Sequence, residues 1–412
     1  MNKVGIIGLG YVGLPTAISL ADKGHSVIGY DLSPSRIGAI LGGNVDLSDA
    51  KREMLRRFLD SGQIQVSTDP EGLVDASAII ICVPTPINRH RVPDLDALNS
   101  SIETVLSVVH PGQTIILTST TYVGCTRSMI ADRLTDRGFT VGKDVFVAFS
   151  PERINPGVVE NEPMKTPRVL GGVTAQCSEA AMETIRDTAS MVHVVSSPEV
   201  AEMTKLLENT FRAVNIAFIN EFSDAAEHYG VPISEVIEAA STKPYGFMKF
   251  TPGPGVGGHC IPCDPEYLLW GLKAEHARAP ITETVMNEIA ERPMRVVQSI
   301  QNVLGANGRS LHDSWIHMAG VAFKPNVADV RESPALVIIE ELIRRGARVT
   351  YSDTHVDSVR VNGGYIDASP ASIAEGADLV VVHTLHEGET VGGWESINSR
   401  VFDATFSSKV TV

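Results

Sequence analysis

The chain is poor in basic residues and in long apolar runs, and each deficit argues against a class of protein. Its 412 residues include 34 Lys and Arg against 49 Asp and Glu, which gives a formal net charge of −15. Proteins that bind nucleic acids hold the phosphate backbone with clustered cations, so this balance argues against that function. No stretch approaches the ~18 consecutive apolar residues of a transmembrane helix, so we expect no membrane association.

Cysteines are few and irregularly spaced. The chain has five, an odd number spread over a long sequence: Cys82, Cys125, Cys177, Cys260 and Cys263. This is not the pattern of a disulfide framework. The N-terminal apolar run is interrupted by glycines, unlike the core of a signal peptide. We therefore expect a reduced, cytoplasmic protein.

The first thirty-one residues have the pattern strand, glycine turn, helix, strand. Gly8, Gly10 and Gly13 form G-x-G-x-x-G between "KVGIIGLG" and a helical segment. These glycines permit a tight turn, close approach of backbone to a pyrophosphate, and packing of the helix on the strand. Asp31 closes the second strand, where an acid bonds ribose hydroxyls and repels a 2′-phosphate. The pattern predicts a Rossmann-like domain that binds NAD.

Three further apolar runs, at 77–86, 113–124 and 144–157, end in small, polar or Pro residues. Ligands of parallel α/β sheets lie at the carboxyl ends of the strands. We therefore expect the loop residues after these runs on the cofactor side: Pro84, Thr85, Thr120 and Glu152.

Residues 197–230 predict one long helix, because Ser197-Pro198 suits a helix start and no Pro or Gly interrupts it before Gly230. Such a helix suits a spine between domains or a dimer contact. Lys205 and Asn209 share one face, although spacing alone leaves them as ordinary solvated residues. The apolar side chains expected to pack are Leu206, Phe211, Val214, Phe218 and Phe222.

The last third repeats an α/β pattern without the glycine fingerprint. Four strand-like runs and the helix-like "SPALVIIEELIRRG" predict a second Rossmann-like domain for a different nucleotide. Lys324 and Arg331 flank its first strand–helix junction, where an anionic ligand would lie. A surface ion pair with Asp329 or Glu332 is the alternative.

The segment "GPGVGGHCIPCDP" places Cys260 among glycines and prolines, where we expect neither helix nor strand. A redox pair with Cys263 usually opens a helix, and a zinc site needs ligands that no second motif supplies. Glycines at this density suggest that backbone lies close to a ligand. A thiol near NAD suggests attack on an aldehyde, hydride transfer from the thiohemiacetal, and hydrolysis of the thioester.

Six motifs in order resemble the UDP-glucose/GDP-mannose dehydrogenase family over essentially the whole chain: "GLGYVGLP", "VPTP", "SPERINPG", "EMTKLLENTFRAVNIAFINE", "GPGVGGHCIPCDP" and "GVAFKPNVADVRESPA". The resemblance implies oxidation of a sugar 6-hydroxyl to a carboxylate with two NAD per turnover. It implies an α/β fold with two Rossmann-like doubly wound domains joined by a central helical domain. The expected boundaries are 1–196 for NAD binding, 197–300 for the helical domain with the Cys loop, and 301–412 for UDP binding.

The resemblance also assigns residues. It implies that Cys260 is the nucleophile, that Lys205 and Asn209 stabilise an oxyanion, and that Asp264, Glu152 and Thr120 manage water. The implied cofactor-binding residues are Gly8, Gly10, Tyr11, Val12, Gly13, Asp31, Arg36, Pro84, Thr85, Thr120, Glu152 and Arg331. The implied substrate-binding residues are Glu152, Arg153, Lys205, Asn209, Phe250, Gly253, Gly255, Gly257, Phe323 and Lys324. No metal is expected. Cys263, Pro156 and Tyr122 depart from the family pattern without removing a proposed catalytic group.

The sugar is the open question. The motifs look most like the bacterial subgroup that oxidises UDP-N-acetylglucosamine, with UDP-glucose as the alternative and UDP-N-acetylmannosamine as a further one. A two-electron dehydrogenase of the 6-phosphogluconate type is a more remote reading, because that family lacks the thiol. A catalytically dead UDP-sugar-binding regulator is disfavoured, because every proposed catalytic group is present. We expect a UDP-sugar substrate and a homodimer or higher even oligomer.

Overall fold

The structure is a computed structural model that describes residues 2–88, 90–153, 166–258, 260–389 and 400–406. The chain divides into two compact units. The N-terminal unit comprises Met1–Leu207 and Glu266–His276, and the C-terminal unit comprises Glu208–Pro265 and Ala277–Val412. The boundaries predicted at 196 and 300 stay a prediction. Within the described ranges, no helix has both the length and the apolar character needed to cross a membrane.

The N-terminal unit is built on an eight-stranded sheet. Its strands are β1 (Lys3–Ile7), β2 (Ser26–Tyr30), β3 (Ile64–Ser67), β4 (Ala78–Ile81), β5 (Thr114–Leu117), β6 (Phe146–Phe149), β7 (Arg168–Gly172) and β8 (Val192–Val195). The order is β3-β2-β1-β4-β5-β6-β7-β8, and every pair is parallel except β6 with β7. The chain order reverses between β1 and β4, which is where such sheets bind ligands. The predicted strands of this unit are confirmed.

Helices cover this sheet: α1 (Gly13–Asp22), α2 (Pro34–Leu41), α3 (Asp49–Asp60), α4 (Asp96–Val108), α5 (Asp132–Asp136) and α6 (Ala175–Ile185). Ser33 caps α2 by accepting from the Arg36 N–H, and Thr174 caps α6 by accepting from the Cys177 N–H. Strands β4 and β5 are buried along their whole length, as expected of parallel strands covered on both faces.

Four helices form the middle of the chain: α7 (Pro198–His228), α8 (Ile233–Ser241), α9 (Cys260–Ala274) and α10 (Pro280–Ala306). The long helix predicted over 197–230 is confirmed as α7, and Ser197 Oγ accepts from the Val200 N–H at 3.4 Å. The expected packing was only partly right. Leu206 is fully buried, but Phe211, Phe218 and Phe222 are 45–53% exposed.

The expectation that Cys260 lies outside regular structure was wrong, because Cys260 is the first residue of α9. The first four N–H groups of a helix have no intrahelical acceptor, so Pro262 in the first turn removes no hydrogen bond. Pro265 lies further inside and costs the helix one bond. The prolines near Cys260 therefore led to a wrong prediction of where the helix begins.

The C-terminal unit contains a four-stranded parallel sheet. Its strands are β9 (Trp315–Ala319), β10 (Arg348–Ser352), β13 (Leu379–Val382) and β14 (Val401–Asp403), in the order β10-β9-β13-β14. Helix α11 (Pro334–Arg344) follows β9, and β11 (Ser358–Val361) pairs with β12 (Gly364–Asp367) as an antiparallel hairpin. The predicted fold class, two Rossmann-like α/β sheets with a central helical part, is confirmed.

In the turn between β1 and α1, two of the glycines are required, each for a different reason. Gly8 has φ +88°, in the left-handed region that favours glycine. A Cβ on Gly13 would lie 1.9 Å from the Gly8 carbonyl oxygen, so only glycine lets α1 pack here. A Cβ on Gly10 would meet nothing within 4 Å.

Gly13→Ala should therefore destabilise the N-terminal unit by about 3 kcal/mol, because the methyl group collides with backbone. Gly10→Ala is the matched control, and its unfolding free energy should stay within about 1 kcal/mol of wild type. Urea unfolding followed by circular dichroism measures both. Equal losses of stability in the two variants would contradict this account of the turn.

Candidate active site

Beside the glycine turn lies a groove of about 250 Å³ lined by Gly10, Tyr11, Leu14, Pro15, Arg36, Asp46 and Leu47. The turn is fastened through Leu9. Asp31 Oδ2 accepts from the Leu9 N–H at 2.9 Å, and Arg36 Nε donates to the Leu9 carbonyl at 2.7 Å. The open space at Gly10, the groove and the nearby N-terminus of α1 fit a dinucleotide pyrophosphate.

The loops after β4, β5 and β6 leave the carboxyl ends of three adjacent parallel strands. Pro84 and Thr85 follow β4, Thr120 follows β5 and Glu152 follows β6, as the sequence predicted. The Thr85 carbonyl accepts from Tyr267 Oη at 3.1 Å, so α9 fixes the first of these loops. Residues 154–157, which include Pro156, lie outside the described residues, and so does His259.

Glu152 and Lys205 come together in the N-terminal unit. Lys205 is only 9% exposed, and its Nζ donates to the Glu152 carbonyl at 3.0 Å. The Glu152 carboxylate faces the buried Arg168, with 3.1 Å between Oε2 and Nη1. Arg168 Nη2 also donates to the Ser150 carbonyl at 2.9 Å. Its guanidinium thus ties Glu152 to the end of β6.

The sequence did not reveal a second carboxylate that holds a loop in place. Glu202 on α7 is 1% exposed, and its carboxylate accepts from the Gly124 N–H, the Thr126 N–H and Thr126 Oγ1 at 2.6–2.8 Å. Burial raises its pKa, although these hydrogen bonds act in the opposite direction. Glu202 therefore anchors the loop that follows β5 and carries Thr120.

The C-terminal unit contains Cys260. Cys260 is exposed, whereas Cys263 and Asp264 on the same helix are buried. Asn209 Nδ2 on α7 donates to Asp264 Oδ2. Cys260 and Asp264 lie one turn apart, so this bond ties Asn209 to the first turns of the helix that Cys260 begins.

Basic side chains lie near this thiol. Burial and the neighbouring Arg212 lower the pKa of Lys324, while Cys260 and Asp329 act in the opposite direction. Lys324 Nζ is 5.5 Å from the Phe323 ring centroid. Arg212 was not among the predicted residues, although its position three residues after Asn209 on one helix is a signal that could have found it.

The glycines before Cys260 were expected to bring backbone close to a ligand, and this stays a prediction. A Cβ on Gly257 would lie 2.6 Å from Phe323 Cβ, one on Gly258 would meet the Phe323 ring, and one on Gly255 would lie 2.7 Å from Pro334 Cγ. At these three glycines the protein's own side chains fill the space that a Cβ would need, whereas a Cβ on Gly253 would meet nothing within 4 Å. Phe250 packs edge-on against Phe211, with 6.3 Å between ring centroids.

Arg331 forms an ion pair with Asp329, which the sequence analysis gave as the alternative to binding an anionic ligand. Its Nε and Nη2 donate to the Asp329 carboxylate at 2.6–3.1 Å. Its backbone carbonyl accepts from the Gly258 N–H at 3.0 Å. A role for Arg331 toward the cofactor stays a prediction. Arg153 Nη1 donates to the Pro167 carbonyl at 2.8 Å.

Among the described residues, Asp353, His355 and His386 form the cluster with metal-ligand potential. Both ring nitrogens of His386 are engaged, because Nδ1 accepts from the Asn326 N–H and Nε2 contacts Asp353 Oδ1. Burial alone would raise the pKa of Asp353, but hydrogen bonds from His386 and backbone N–H groups outweigh it and lower the pKa to about 2. This donor set serves the loop, and it fits a metal poorly.

Three models of the UDP-glucose/GDP-mannose dehydrogenase family match this chain. The NAD-binding domain matches residues 2–190, the central domain 199–289 and the UDP-binding domain 317–407. The chain belongs to this family. It is an NAD-dependent nucleotide-sugar dehydrogenase, and its predicted cofactor is confirmed.

The relatives of this dehydrogenase include the UDP-N-acetyl-D-mannosamine dehydrogenase of Pyrococcus horikoshii. The two are 35% identical over 401 residues, which are 96% of this chain and 92% of the relative. The enzyme of the same name from Escherichia coli K12 is 36% identical over 82% of this chain and 81% of its own. The solved structure of UDP-D-ManNAc dehydrogenase from P. horikoshii has a TM-score of 0.90 at 32% identity, covering 100% of this chain and 96% of its own.

Arg168→Met should cost about 3 kcal/mol of unfolding free energy, because it leaves the Glu152 carboxylate without its buried cation. Arg127→Met is the matched control. Arg127 also pairs with a glutamate in the N-terminal unit, Glu199, but its side chain is 42% exposed. Loss of this exposed pair should cost less than about 1 kcal/mol. Urea unfolding compares the two, and a larger loss in Arg127→Met would contradict the assignment.

Proposed function

We propose that this dehydrogenase oxidises the C6 hydroxyl of a UDP-2-acetamido-hexose to a carboxylate through a covalent intermediate on Cys260. The exposed Cys260 at the start of α9, followed one turn later by Asp264 bonded to Asn209, supports the proposal. The N-terminus of a helix carries partial positive charge, which stabilises an anionic sulfur.

The sugar is proposed from the relatives. Two relatives, at 35% and 36% identity to this chain, are named UDP-N-acetyl-D-mannosamine dehydrogenase. The sugar in that name carries an acetamido group. The motifs alone favoured UDP-N-acetylglucosamine, which is the C2 epimer of that sugar. The relatives therefore support the acetamido class and, within it, the mannose configuration. UDP-glucose is the alternative.

The first oxidation converts the alcohol to an aldehyde, and the second converts a thiohemiacetal to a thioester. NAD, which the glycine turn and the groove beside it would hold, would supply the hydride acceptor for each oxidation. The Cys260 sulfur attacks the aldehyde carbon, which creates an oxyanion that Lys205 and Asn209, one turn apart on α7, are proposed to stabilise. One such donor is worth about 3 kcal/mol in the transition state.

Hydrolysis of the thioester releases the uronate and restores the thiol. Glu152 and Thr120 are proposed to hold the water, and Asp264 to take up a proton from it. The Glu152 carboxylate is fixed by Arg168, which suits a group that must orient water. Water gives its oxygen to the carboxyl carbon and a proton to the departing sulfur.

Phe323 and Lys324 are proposed to hold the UDP half of the substrate, together with the loop that carries Phe250, Gly253, Gly255 and Gly257. Arg212 adds positive charge beside Lys324. None of the five cysteines, which all lie in the part of the chain that the structure describes, is bonded in a disulfide, and we propose the reducing cytoplasm as the compartment.

A panel of UDP-sugars with NAD tests the function. UDP-N-acetyl-D-mannosamine should yield two NADH per sugar, with kcat/KM about 10- to 100-fold above that of UDP-glucose, because a pocket built for an acetamido group loses contacts with a hydroxyl. Absorbance at 340 nm counts the NADH. One NADH per sugar would indicate a two-electron dehydrogenase, and preference for UDP-glucose would overturn the proposed sugar.

Cys260→Ala should abolish formation of the uronate, with kcat for the second oxidation falling about 10⁴-fold, because no thiohemiacetal can form. Cys263→Ser is the matched control on the same helix, and we expect it to retain two NADH per sugar. Two NADH per sugar at the wild-type rate from Cys260→Ala would refute the covalent route.

We also propose that the enzyme is a homodimer joined through α7. Phe211, Phe218 and Phe222 share a face of this helix, and the Phe218 and Phe222 rings lie 4.7 Å apart. Each is about half exposed in the single chain, and such aromatic patches mark interfaces.

Phe218→Glu should raise the dimer dissociation constant at least about 100-fold, because it buries a charge in an apolar contact. Sedimentation velocity at several protein concentrations measures this. Tyr365→Glu is the control, since Tyr365 is 74% exposed on the β11–β12 hairpin. A monomeric wild type, or a Phe218→Glu variant that dimerises normally, would contradict the assignment.

A further inference from the structure

The backbone of Gly253 is held by two buried side chains from different helices. Its N–H donates to Asn220 Oδ1 on α7 at 2.9 Å, and its carbonyl accepts from Arg292 Nε on α10 at 3.0 Å. Asn220 and Arg292 are each 4% exposed. Both polar groups of a loop residue are thus satisfied by side chains, where a strand would use backbone partners.

Arg292 is itself fixed. Its Nη1 donates to Asp224 Oδ1, and its guanidinium lies 5.9 Å from the Phe406 ring centroid. Asp224 and Asn220 are four residues apart on α7, so one face of that helix orients the guanidinium and also receives the Gly253 N–H. A planar guanidinium can serve both acceptors at once, which a lysine ammonium cannot do in the same geometry.

The rest of the loop is fixed by packing. Gly255 and Gly257 lie against Pro334 and Phe323, so close that a Cβ would lie within 2.8 Å of their atoms. Hydrogen bonds to Gly253 thus hold one end of the segment, and the packing of Gly255 and Gly257 holds the end nearer to Cys260. Release of Gly253 would let the segment move against Phe323.

We propose that Arg292 and Asn220 are positioning residues that set the loop 250–258 for the sugar nucleotide and for the approach to Cys260. The inference rests on the proposed function of this loop. It predicts an effect on the UDP-sugar that the loop would bind, and none on NAD, which the N-terminal unit binds through its glycine turn.

The test compares Arg292→Lys and Asn220→Leu with wild type. We expect KM for the UDP-sugar to rise about tenfold in each, because a hydrogen bond that orders the loop is lost, while KM for NAD stays within about twofold. Asn220→Asp keeps an acceptor for the Gly253 N–H and should restore most of the affinity. Arg295→Lys is the matched control, since Arg295 also pairs with Asp224 and its other partners are Glu288 and Glu291.

Hydrogen exchange of peptides covering 250–258 gives a second readout that needs no turnover. Exchange should be faster in Arg292→Lys and Asn220→Leu and unchanged in Arg295→Lys. If wild type oxidises no UDP-sugar, the proposed function fails, and the exchange result alone then decides whether the clamp exists. Unchanged exchange, or equal rises in KM for sugar and NAD accompanied by general loss of stability, would overturn the inference.

Discussion

One buried hydrogen bond, from the Asn209 amide to the Asp264 carboxylate, joins the two helices on which the proposed chemistry depends. Asn209 is 6% exposed and Asp264 is fully buried. Removal of one partner of such a buried hydrogen bond would leave the other polar group without a partner and away from water, which is costly. Because α7 carries Lys205 and Asn209 while α9 begins at Cys260, this bond keeps the amide next to the helix that presents the sulfur.

Carboxylates hold loops in place in both units, so part of the acidic composition has a structural role. Glu152 is held by Arg168, and Glu202 binds backbone N–H groups in the loop after β5. Asp31 follows β2 and Asp353 follows β10, and each also accepts a hydrogen bond from a backbone N–H group. The two side chains differ in exposure. Asp31 remains partly exposed beside the groove. The Asp353 side chain is 0% exposed, and it accepts hydrogen bonds from its own loop and contacts His386.

Features with a strong local signal could be predicted from the sequence. The glycine turn, five strands of the first sheet, the four strands of the second and the long α7 follow from periodicity and uninterrupted helical composition, whereas β3, β7 and β8 were not predicted. The start of α9 at Cys260 was missed, because proline in a first turn costs no hydrogen bond and local propensity overstates its effect. The roles of Arg168 and Arg292 could not be found, since burial of an arginine is decided by tertiary partners. For the same reason, the packing of Gly257 against Phe323 could not be predicted from the sequence.

The central claim is that the sulfur of Cys260 carries the oxidised carbon. The most direct measurement is mass spectrometry of the enzyme after acid quench during turnover of the UDP-sugar. Glu152→Gln, expected to slow hydrolysis, should enrich the intermediate. The account predicts an added mass equal to the sugar nucleotide acyl group, on the peptide that contains Cys260. Uronate formation without any such adduct, or an adduct located on another residue, would contradict it.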